Sequence, residues 1–146
     1  MDLKLKRTHP DAKLPVRSTK GSAGLDLCAL LEQPLTLEPG GRASVPTGIA
    51  IGLPSEETVG LVFARSGLAV KHGLALSNGV GVIDSDYRGE IQVGLVNLSD
   101  QPYTIQPGER IAQLVVMPVL LPELKEVDSL EETERGAGGF GSTGRL

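Results

Sequence analysis

One pair of residues that could hold an anion lies in the segment ARSGLA (64–69). Arg65 supplies a positive charge, and the first N–H groups of a helix that begins near Ser66 have no partner within that helix. Such groups, together with the positive end of the helix dipole, favour phosphate or carboxylate. The plainer interpretation is that Ser66 is the N-cap of a short helix and that Arg65 is a solvated side chain.

A carboxylate suited to activating water lies in the segment SNGVGVIDSDYRGEI (77–91). Asp84 follows the apolar Val82 and Ile83 on a loop between two expected strands, where an aspartate either acts as a general base or caps a turn. Tyr87 in the same loop is either a core residue or a flat surface for a ring.

A second carboxylate, Asp26, lies between two leucines in the strand-like segment SAGLDL (22–27). An inward-facing charge there is costly unless a cation pairs with it. Arg110 in GERIAQL (108–114) is a candidate partner for that charge. Gln113 in the same segment is either a ligand contact or a hydrogen-bonded polar residue of a strand.

Short runs of β-type residues surround these candidates and predict an all-β fold, a jelly roll or β-sandwich. Alternation and β-branched residues indicate strands in the segments 44–53, 58–63, 90–98 and 110–119. The only expected helix has Ser66 as its N-cap and Gly73 as its C-terminal stop.

Three turns are predicted from Pro-Gly and Asn-Gly dipeptides. Pro-Gly stands at the centre of TLEPGGRA (36–43) and TIQPGERI (104–111), which suits type II turns of a shared hairpin design. Asn78-Gly79 is a third turn signal.

Bulk properties narrow the class of protein. The chain has 146 residues, a net charge of −4 and a single cysteine, Cys28. We therefore expect one domain of ordinary size and no broad basic surface for nucleic acid. With one cysteine, we expect neither a disulfide nor a thiolate metal site. The N-terminus has no signal-peptide pattern and no segment resembles a membrane span, so a soluble cytoplasmic protein is predicted.

The C-terminal segment RGAGGFGSTGRL (135–146) contains five glycines and one of only four aromatic residues. Ordering so many glycines is entropically costly, so such a tail is either idle or becomes ordered over a ligand. We expect a β body over residues 1–122, and an acidic linker followed by the flexible glycine-rich arm over residues 123–146. The acidic part, 123–134, is interpreted as a solvated linker.

Taken together, these segments resemble the five motifs of the trimeric dUTPases. They are AGLDL, ARSGLA, NGVGVIDSDYRGE, GERIAQLVV and RGAGGFGSTG, in that order, from about residue 20 to residue 144. Leu25 stands where the family often has tyrosine. The resemblance implies a dUTPase-like (β-clip), distorted jelly roll and a homotrimer whose C-terminal arms are exchanged to close neighbouring active sites. It also implies hydrolysis of dUTP to dUMP and pyrophosphate with Mg²⁺.

The resemblance implies roles for particular residues. Asp84 matches the aspartate that activates the attacking water, which strikes the α-phosphorus. Tyr87 matches the ring that packs under the deoxyribose and leaves no room for a 2′-hydroxyl. Asp26 matches a carboxylate that touches the metal through water.

The resemblance assigns the other matched residues to binding the base or the phosphates of the nucleotide. The base-reading hairpin comprises Asn78, Gly79, Val82, Ile83 and Asp84, and Gly89 of the same segment is also assigned to substrate binding. Phosphate contacts match Arg65, Ser66, Gly67 and Gln113. In the tail, Arg135 matches a γ-phosphate contact, Phe140 matches a ring stacked on uracil, and Gly141, Ser142 and Thr143 match the turn that closes over the triphosphate.

Two alternatives remain open. A dCTP deaminase shares the fold and part of the motif set, but it needs an extra acidic group at the pyrimidine, and the loop here has the hydrolase pattern IDSDYRGE. A nucleotide-sensing protein without turnover would have no need of Asp84 together with Arg135 and Phe140.

Overall fold

The computed structural model describes residues 1–146 and consists almost wholly of β-strands. The strands are β1 Lys4–Arg7, β2 Leu25–Cys28, β3 Leu35–Leu37, β4 Arg42–Gly52, β5 Thr58–Phe63, β6 Leu74–Leu76, β7 Gly81–Ile83, β8 Glu90–Asn97, β9 Tyr103–Ile105 and β10 Arg110–Pro118. The single helix, α1, spans Ser66–His72. The predicted all-β class with one short helix is confirmed.

Two four-stranded antiparallel sheets form the body, in the orders β1-β4-β8-β6 and β2-β10-β5-β7. A separate two-stranded ribbon joins β3 to β9. Side chains of both sheets meet in one core, to which the first sheet contributes Val45 and Leu95 and the second Leu27 and Leu114. Each such residue stabilises the fold by about 1.5–3 kcal/mol when it is fully buried.

Strand β8 shows how the residue pattern builds this core. Ile91, Val93 and Leu95 are buried, whereas the residues between them face outward or are only half-buried. This is the period of two that places alternate side chains on opposite faces of a strand. The observed bounds of the four strands predicted from alternation and β-branching differ from the predicted bounds by two residues at most.

A bulge interrupts β4 where its pairing with β8 shifts between Pro46 and Ala50. Gly48 there has a φ of 68°. The buried Thr47 hydroxyl donates a hydrogen bond to the Ile91 carbonyl at 2.6 Å. The buried Thr47 hydroxyl at the bulge therefore has a hydrogen-bond partner, which removes most of the free-energy cost of placing a polar group in the core.

The two Pro-Gly segments contain the expected turns but are not hairpins. Gly40 and Gly108 have φ values of 78° and 79°, as type II turns require. Each turn, however, leads from the ribbon into a different four-stranded sheet: β3 continues into β4 and β9 into β10. The hairpin prediction is wrong because the two similar segments pair with each other, with Thr36 opposite Thr104.

The turn at Asn78-Gly79 also passes from one sheet to the other. Gly79 has a φ of 75°, and its N–H donates to the Leu76 carbonyl at 3.0 Å. Strand β6 before the turn lies in the first sheet and β7 after it lies in the second. The predicted turn is confirmed, and it connects the sheets at the edge where Asp84 follows β7.

The start of α1 differs from the prediction. Arg65 is the N-cap, Ser66 is the first helical residue, and no side chain caps the helix. Ser66 therefore cannot act as the predicted N-cap, and the N–H groups of the first turn keep no side-chain partner. At the other end, Gly73 adopts the left-handed conformation with a φ of 67°, as expected of a glycine C-cap.

Residues after β10 form turns but no further strand or helix. The hydrogen bonds made by residues 123–146 all join residues of that segment, as between the Gly138 N–H and the Arg135 carbonyl at 3.1 Å. With α1 only seven residues long, the fold contains no helix able to span a membrane.

Candidate active site

Asp26 on β2 is the most constrained of the predicted site residues. Its side chain is 11% exposed, and Arg65 Nε donates to its Oδ1 at 3.1 Å. Arg110 Nη1 and the Ser18 hydroxyl donate to its Oδ2 at 3.3 and 3.2 Å. The predicted partnership with Arg110 is confirmed. Pairing with Arg65 joins the carboxylate to the start of α1, and the three donors together satisfy a charge that would otherwise be costly to bury.

Gln113 on β10 stands beside Asp26, which is its partner in the antiparallel pairing with β2. Its side-chain amide donates to the Ala64 carbonyl at 3.0 Å. A Cβ placed on Gly24 would lie only 3.0 Å from the Gln113 Cβ and would collide with its amide oxygen. Glycine at position 24 therefore allows the Gln113 side chain to pack closely against the chain just before β2.

Together these residues line one groove, which we call the arginine groove. It is lined by Ser18, Ser22, Ala23, Gly24, Asp26, Arg65, Ser66, Gly67 and Gln113. The four phosphate-binding residues predicted outside the tail, Arg65, Ser66, Gly67 and Gln113, lie there with the predicted indirect metal ligand, Asp26. The groove combines a guanidinium, the unpaired N–H groups that begin α1, and an amide side chain, which is the chemistry that recognises an anion.

A second groove, of about 260 Å³, lies along the opposite sheet edge and is here called the aspartate groove. It is lined by Val62, Leu76, Asn78, Gly81, Val82, Ile83, Asp84, Tyr87, Glu90, Ile91, Gln92 and Gly94. The predicted base-reading residues, other than Gly79 in the adjoining turn, and the predicted catalytic aspartate therefore lie together. Its walls are half apolar, as expected of a pocket for a flat ring.

Asp84 differs sharply from Asp26. It is exposed immediately after β7, and its carboxylate makes no hydrogen bond or ion pair within the chain. Its carbonyl accepts the Tyr87 N–H at 3.1 Å, which fixes the turn that follows. A carboxylate held by its backbone but unpaired at its side chain is free to accept a proton from water.

Tyr87 lies beside Asp84 and is 47% exposed, so it is not a core residue. Its hydroxyl donates to the Glu90 carbonyl at 2.8 Å. With the hydroxyl occupied, the ring itself faces the groove as a flat apolar surface.

The tail residues contact neither groove in this chain. Phe140 is fully exposed and has a φ of 51°, a left-handed conformation that is uncommon outside glycine. Arg135, Ser142 and Thr143 line a hollow formed only by residues of the linker and tail, between positions 133 and 143. The two grooves likewise have no lining residue in common. One chain therefore carries the predicted residues as three separate groups.

The comparisons with known proteins identify the family of this chain. The family model described as dUTPase matches residues 10–144, nearly the whole chain. The chain belongs to the dUTPase family. The membership expected from the five segments, and with it the enzyme class, is thereby confirmed.

Curated relatives share about half or more of their residues with this member of the dUTPase family. The chain is 58% identical over 132 residues to a deoxyuridine 5′-triphosphate nucleotidohydrolase of Desulfitobacterium hafniense, covering 90% of this chain and 87% of the relative. It is 49% identical over 145 residues to one of Ralstonia nicotianae, covering 99% and 98%.

Solved dUTPase structures have the same fold. A variant of the Staphylococcus bacteriophage 80alpha dUTPase with dUpNHpp superimposes with a TM-score of 0.89 at 32% identity, covering 99% of each chain. A variant of the dUTPase from phage phi11 of S. aureus, described with a structural Mg(II) ion, gives a TM-score of 0.81 at 28% identity and covers 90% of this chain and 100% of that one. The predicted dUTPase-like fold is confirmed.

The residues of this dUTPase fit a metal that arrives with its ligand rather than a metal held by protein alone. No three acidic, histidine or cysteine side chains cluster as a metal site would require. Both oxygens of Asp26 already accept hydrogen bonds from arginine or serine. Mg²⁺ is commonly held by substrate phosphates, waters and one or two carboxylates, so Asp26 fits the indirect role predicted for it.

Four residues of the arginine groove are not predicted as site residues by the sequence: Ser18, Ser22, Ala23 and Gly24. Ser18 lies eight residues before Asp26 and donates to its carboxylate. A serine in a polar loop is too common a feature to signal this. Gly24 stands inside the motif AGLDL, but only the packing of Gln113 across it explains the need for glycine.

Proposed function

We propose that this chain hydrolyses dUTP to dUMP and pyrophosphate, lowering dUTP and supplying the precursor of dTMP. The observation that carries the proposal is the pairing of an anion-binding groove at Asp26, Arg65 and Gln113 with a groove containing a free carboxylate at Asp84. The names of the relatives and the dUpNHpp bound to a neighbouring structure support the same substrate.

The arginine groove would bind the phosphates. Asp26 fixes Arg65 through the bond from its Nε, and Arg65 Nη1 also donates to the Arg110 carbonyl at 3.5 Å. Nη2 is left to meet phosphate oxygens. The N–H groups of Ser66 and Gly67 and the amide of Gln113 add neutral donors. Binding in an already paired and oriented site costs less side-chain entropy than recruiting free arginines.

Asp84 would act as the general base. A water molecule held by its carboxylate attacks the α-phosphorus and gives its proton to Asp84. The new bond joins the water oxygen to phosphorus, and the bond from phosphorus to the bridging oxygen breaks, releasing pyrophosphate. In-line positioning of water and phosphate provides most of the rate enhancement in such transfers.

Base and sugar would be selected in the aspartate groove. The Asn78-Gly79 turn and the backbone of Val82 to Asp84 would match the hydrogen-bonding edge of uracil, because a mismatched edge leaves buried polar groups unpaired. The Tyr87 ring would pack under the deoxyribose and exclude a 2′-hydroxyl. Mg²⁺, bound with the triphosphate and touched by Asp26 through water, would neutralise charge on the phosphate oxygens.

We propose that the chain forms a homotrimer in the cytoplasm and that neighbouring subunits share each active site. The two grooves share no residue, and the tail contacts neither. Residues 1–122 would form the catalytic body, and residues 123–146 the linker and arm. From a neighbouring chain the arm would bring Arg135 to the γ-phosphate and Phe140 onto uracil, with Gly141, Ser142 and Thr143 closing over the triphosphate.

The test is pyrophosphate release with Mg²⁺ from dUTP, dCTP, dTTP and UTP in parallel, with the nucleotide products identified. Release from dUTP alone, giving dUMP, is expected. Tight binding of dUTP without release would instead indicate a nucleotide sensor, and conversion of dCTP would indicate a deaminase.

A further inference from the structure

Gly89 lies directly against the Tyr87 ring. A Cβ built on Gly89 would lie 2.5 Å from the Tyr87 hydroxyl oxygen, 2.7 Å from Cζ and 3.0 Å from Cε2. Real Cβ atoms essentially never approach other heavy atoms this closely. The backbone of Gly89 is not in the left-handed region, so the reason for glycine here is space and not conformation.

The ring cannot yield to a larger neighbour without losing its tether. The Tyr87 hydroxyl donates to the Glu90 carbonyl at 2.8 Å, and the Tyr87 N–H donates to the Asp84 carbonyl at 3.1 Å. The N–H bond holds the Tyr87 backbone and the hydroxyl bond holds the far end of the ring, so the ring can move aside only by breaking the hydroxyl bond. Because Tyr87 is 47% exposed, the displaced ring has solvent to enter, and the core is not disturbed.

We propose that Gly89 is a positioning residue that fixes the Tyr87 ring and thereby sets the preference for deoxyribose over ribose. This inference rests on the proposed function, since it concerns the sugar of the substrate. The sequence pattern assigns Gly89 to substrate binding. The geometry instead gives it a role through Tyr87, because its missing side chain is what lets the hydroxyl reach the Glu90 carbonyl.

The first experiment compares kcat/KM for dUTP and UTP in the wild type, Gly89→Ala and a matched control, Gly21→Ala. A Cβ added to Gly21 would meet no atom within 4 Å, and Gly21 lies outside both grooves. We expect Gly89→Ala to lower the dUTP:UTP ratio by about tenfold or more, because a displaced ring no longer fills the space of a 2′-hydroxyl, and shape alone rejects an added hydroxyl by about 10²-fold. A folded Gly89→Ala with a ratio within twofold of the wild type would overturn the proposal.

A double-mutant cycle with Tyr87→Ala separates positioning from a general structural effect. If Gly89 acts only through the ring, Gly89→Ala should leave the ratio unchanged once the ring is gone. Additive losses would contradict the proposal. Should Gly89→Ala fail to fold, Tyr87→Phe removes the tether while retaining glycine, and an unchanged ratio there would count against it equally.

A spectroscopic readout keeps this test independent of turnover. The chain has no tryptophan and only two tyrosines, so Tyr103→Phe leaves Tyr87 as the sole tyrosine fluorophore. Adding Gly89→Ala should shift its fluorescence, as expected when the phenol loses its carbonyl partner. A shift in a protein that does not hydrolyse dUTP would retain the positioning role and reject the proposed function. An unchanged emission would reject the positioning role itself.

Discussion

The two aspartates of the candidate site show how one residue type can serve opposite purposes. Asp26 is buried and accepts hydrogen bonds from Arg65, Arg110 and Ser18. Asp84 is exposed, and its carboxylate has no partner in the chain. The first is committed to organising positive charge, and the second is left available for a proton.

This difference has a physical basis in the neighbouring strands. Asp26 lies within β2 and opposite Gln113 of β10, so its side chain points among residues of two other segments. Asp84 follows the end of the three-residue strand β7, where a turn begins. We infer that catalysis is divided between an arginine groove that binds and an aspartate groove that reacts, and four predictions test that division.

The largest effect is expected for Asp84→Asn. Asparagine keeps the size of the side chain but cannot accept the proton, so kcat should fall by about 10²–10⁴-fold. Affinity for a non-hydrolysable dUTP analogue, measured by calorimetry, should stay nearly unchanged. The exposed neighbour Asp86→Asn is the control. Equal losses of binding and turnover would show that Asp84 is structural.

Deletion of residues 135–146 comes next. The body should remain folded, because the hydrogen bonds of this segment are made within residues 123–146. Activity should fall by about 100-fold, the cost of misplaced reacting groups. Deleting only Arg145 and Leu146, which match no motif, is the control. Full activity in the longer deletion would refute the role of the arm.

Asp26→Asn should act on binding and stability rather than on the reaction alone. It leaves Arg65 and Arg110, whose side chains are 35% and 48% exposed, without their shared anion. We expect unfolding free energy to drop by about 1–3 kcal/mol, between the values for exposed and buried pairs, and KM for dUTP to rise. Urea unfolding and steady-state kinetics measure both, with exposed Asp100→Asn as control. An unchanged KM would remove the arginine groove from the binding site.

The smallest effect concerns Cys28, which reports on the charge of the arginine groove. Burial raises the pKa of the Cys28 thiol, and the Asp26 charge contributes to that rise while Lys13, Arg110 and Arg65 oppose it. Removing the Asp26 charge should therefore lower the pKa and increase the thiolate fraction at pH 8. Iodoacetamide should then alkylate Cys28 faster in Asp26→Asn than in the wild type.

Asp84→Asn is the matched control for that experiment, because Asp84 is not among the charges that shift the Cys28 pKa. Its alkylation rate should equal the wild-type rate. In all variants the rate should rise with pH toward the thiol pKa. Equal acceleration in both aspartate variants would mean that the two grooves are not electrostatically separate.

Local signals predict a large part of this molecule. Strand β5 has the predicted bounds, 58–63, and β8 ends one residue before its predicted limit. Strand β1 escapes prediction because its residues, Lys-Leu-Lys-Arg, are all exposed and show no apolar face. The Pro-Gly turns are where the sequence predicts them, but the hairpin pairing is wrong, because pairing partners lie far apart in sequence and leave no local trace.

The candidate site shows the same limit. The cost of burying a charge predicts the pairing of Asp26 with Arg110, but it does not predict the bond to Arg65, 39 residues away. Serine favours the N-cap position, which is why Ser66 is predicted there, yet Arg65 occupies it. The division into two grooves depends on which sheet each strand joins, and no single segment encodes that.

The ribbon and the Asp26 clamp also constrain how the chain acquires its structure during synthesis. Thr36 meets Thr104 across 68 residues, and Asp26 meets Arg110 across 84. Neither contact can form until most of the polypeptide has left the ribosome, and such distant pairings close slowly. Until then β2 lacks its strand partner β10, and Asp26 lacks the Arg110 guanidinium. The anion-binding half of the candidate site is therefore among the last parts of the nascent protein to mature.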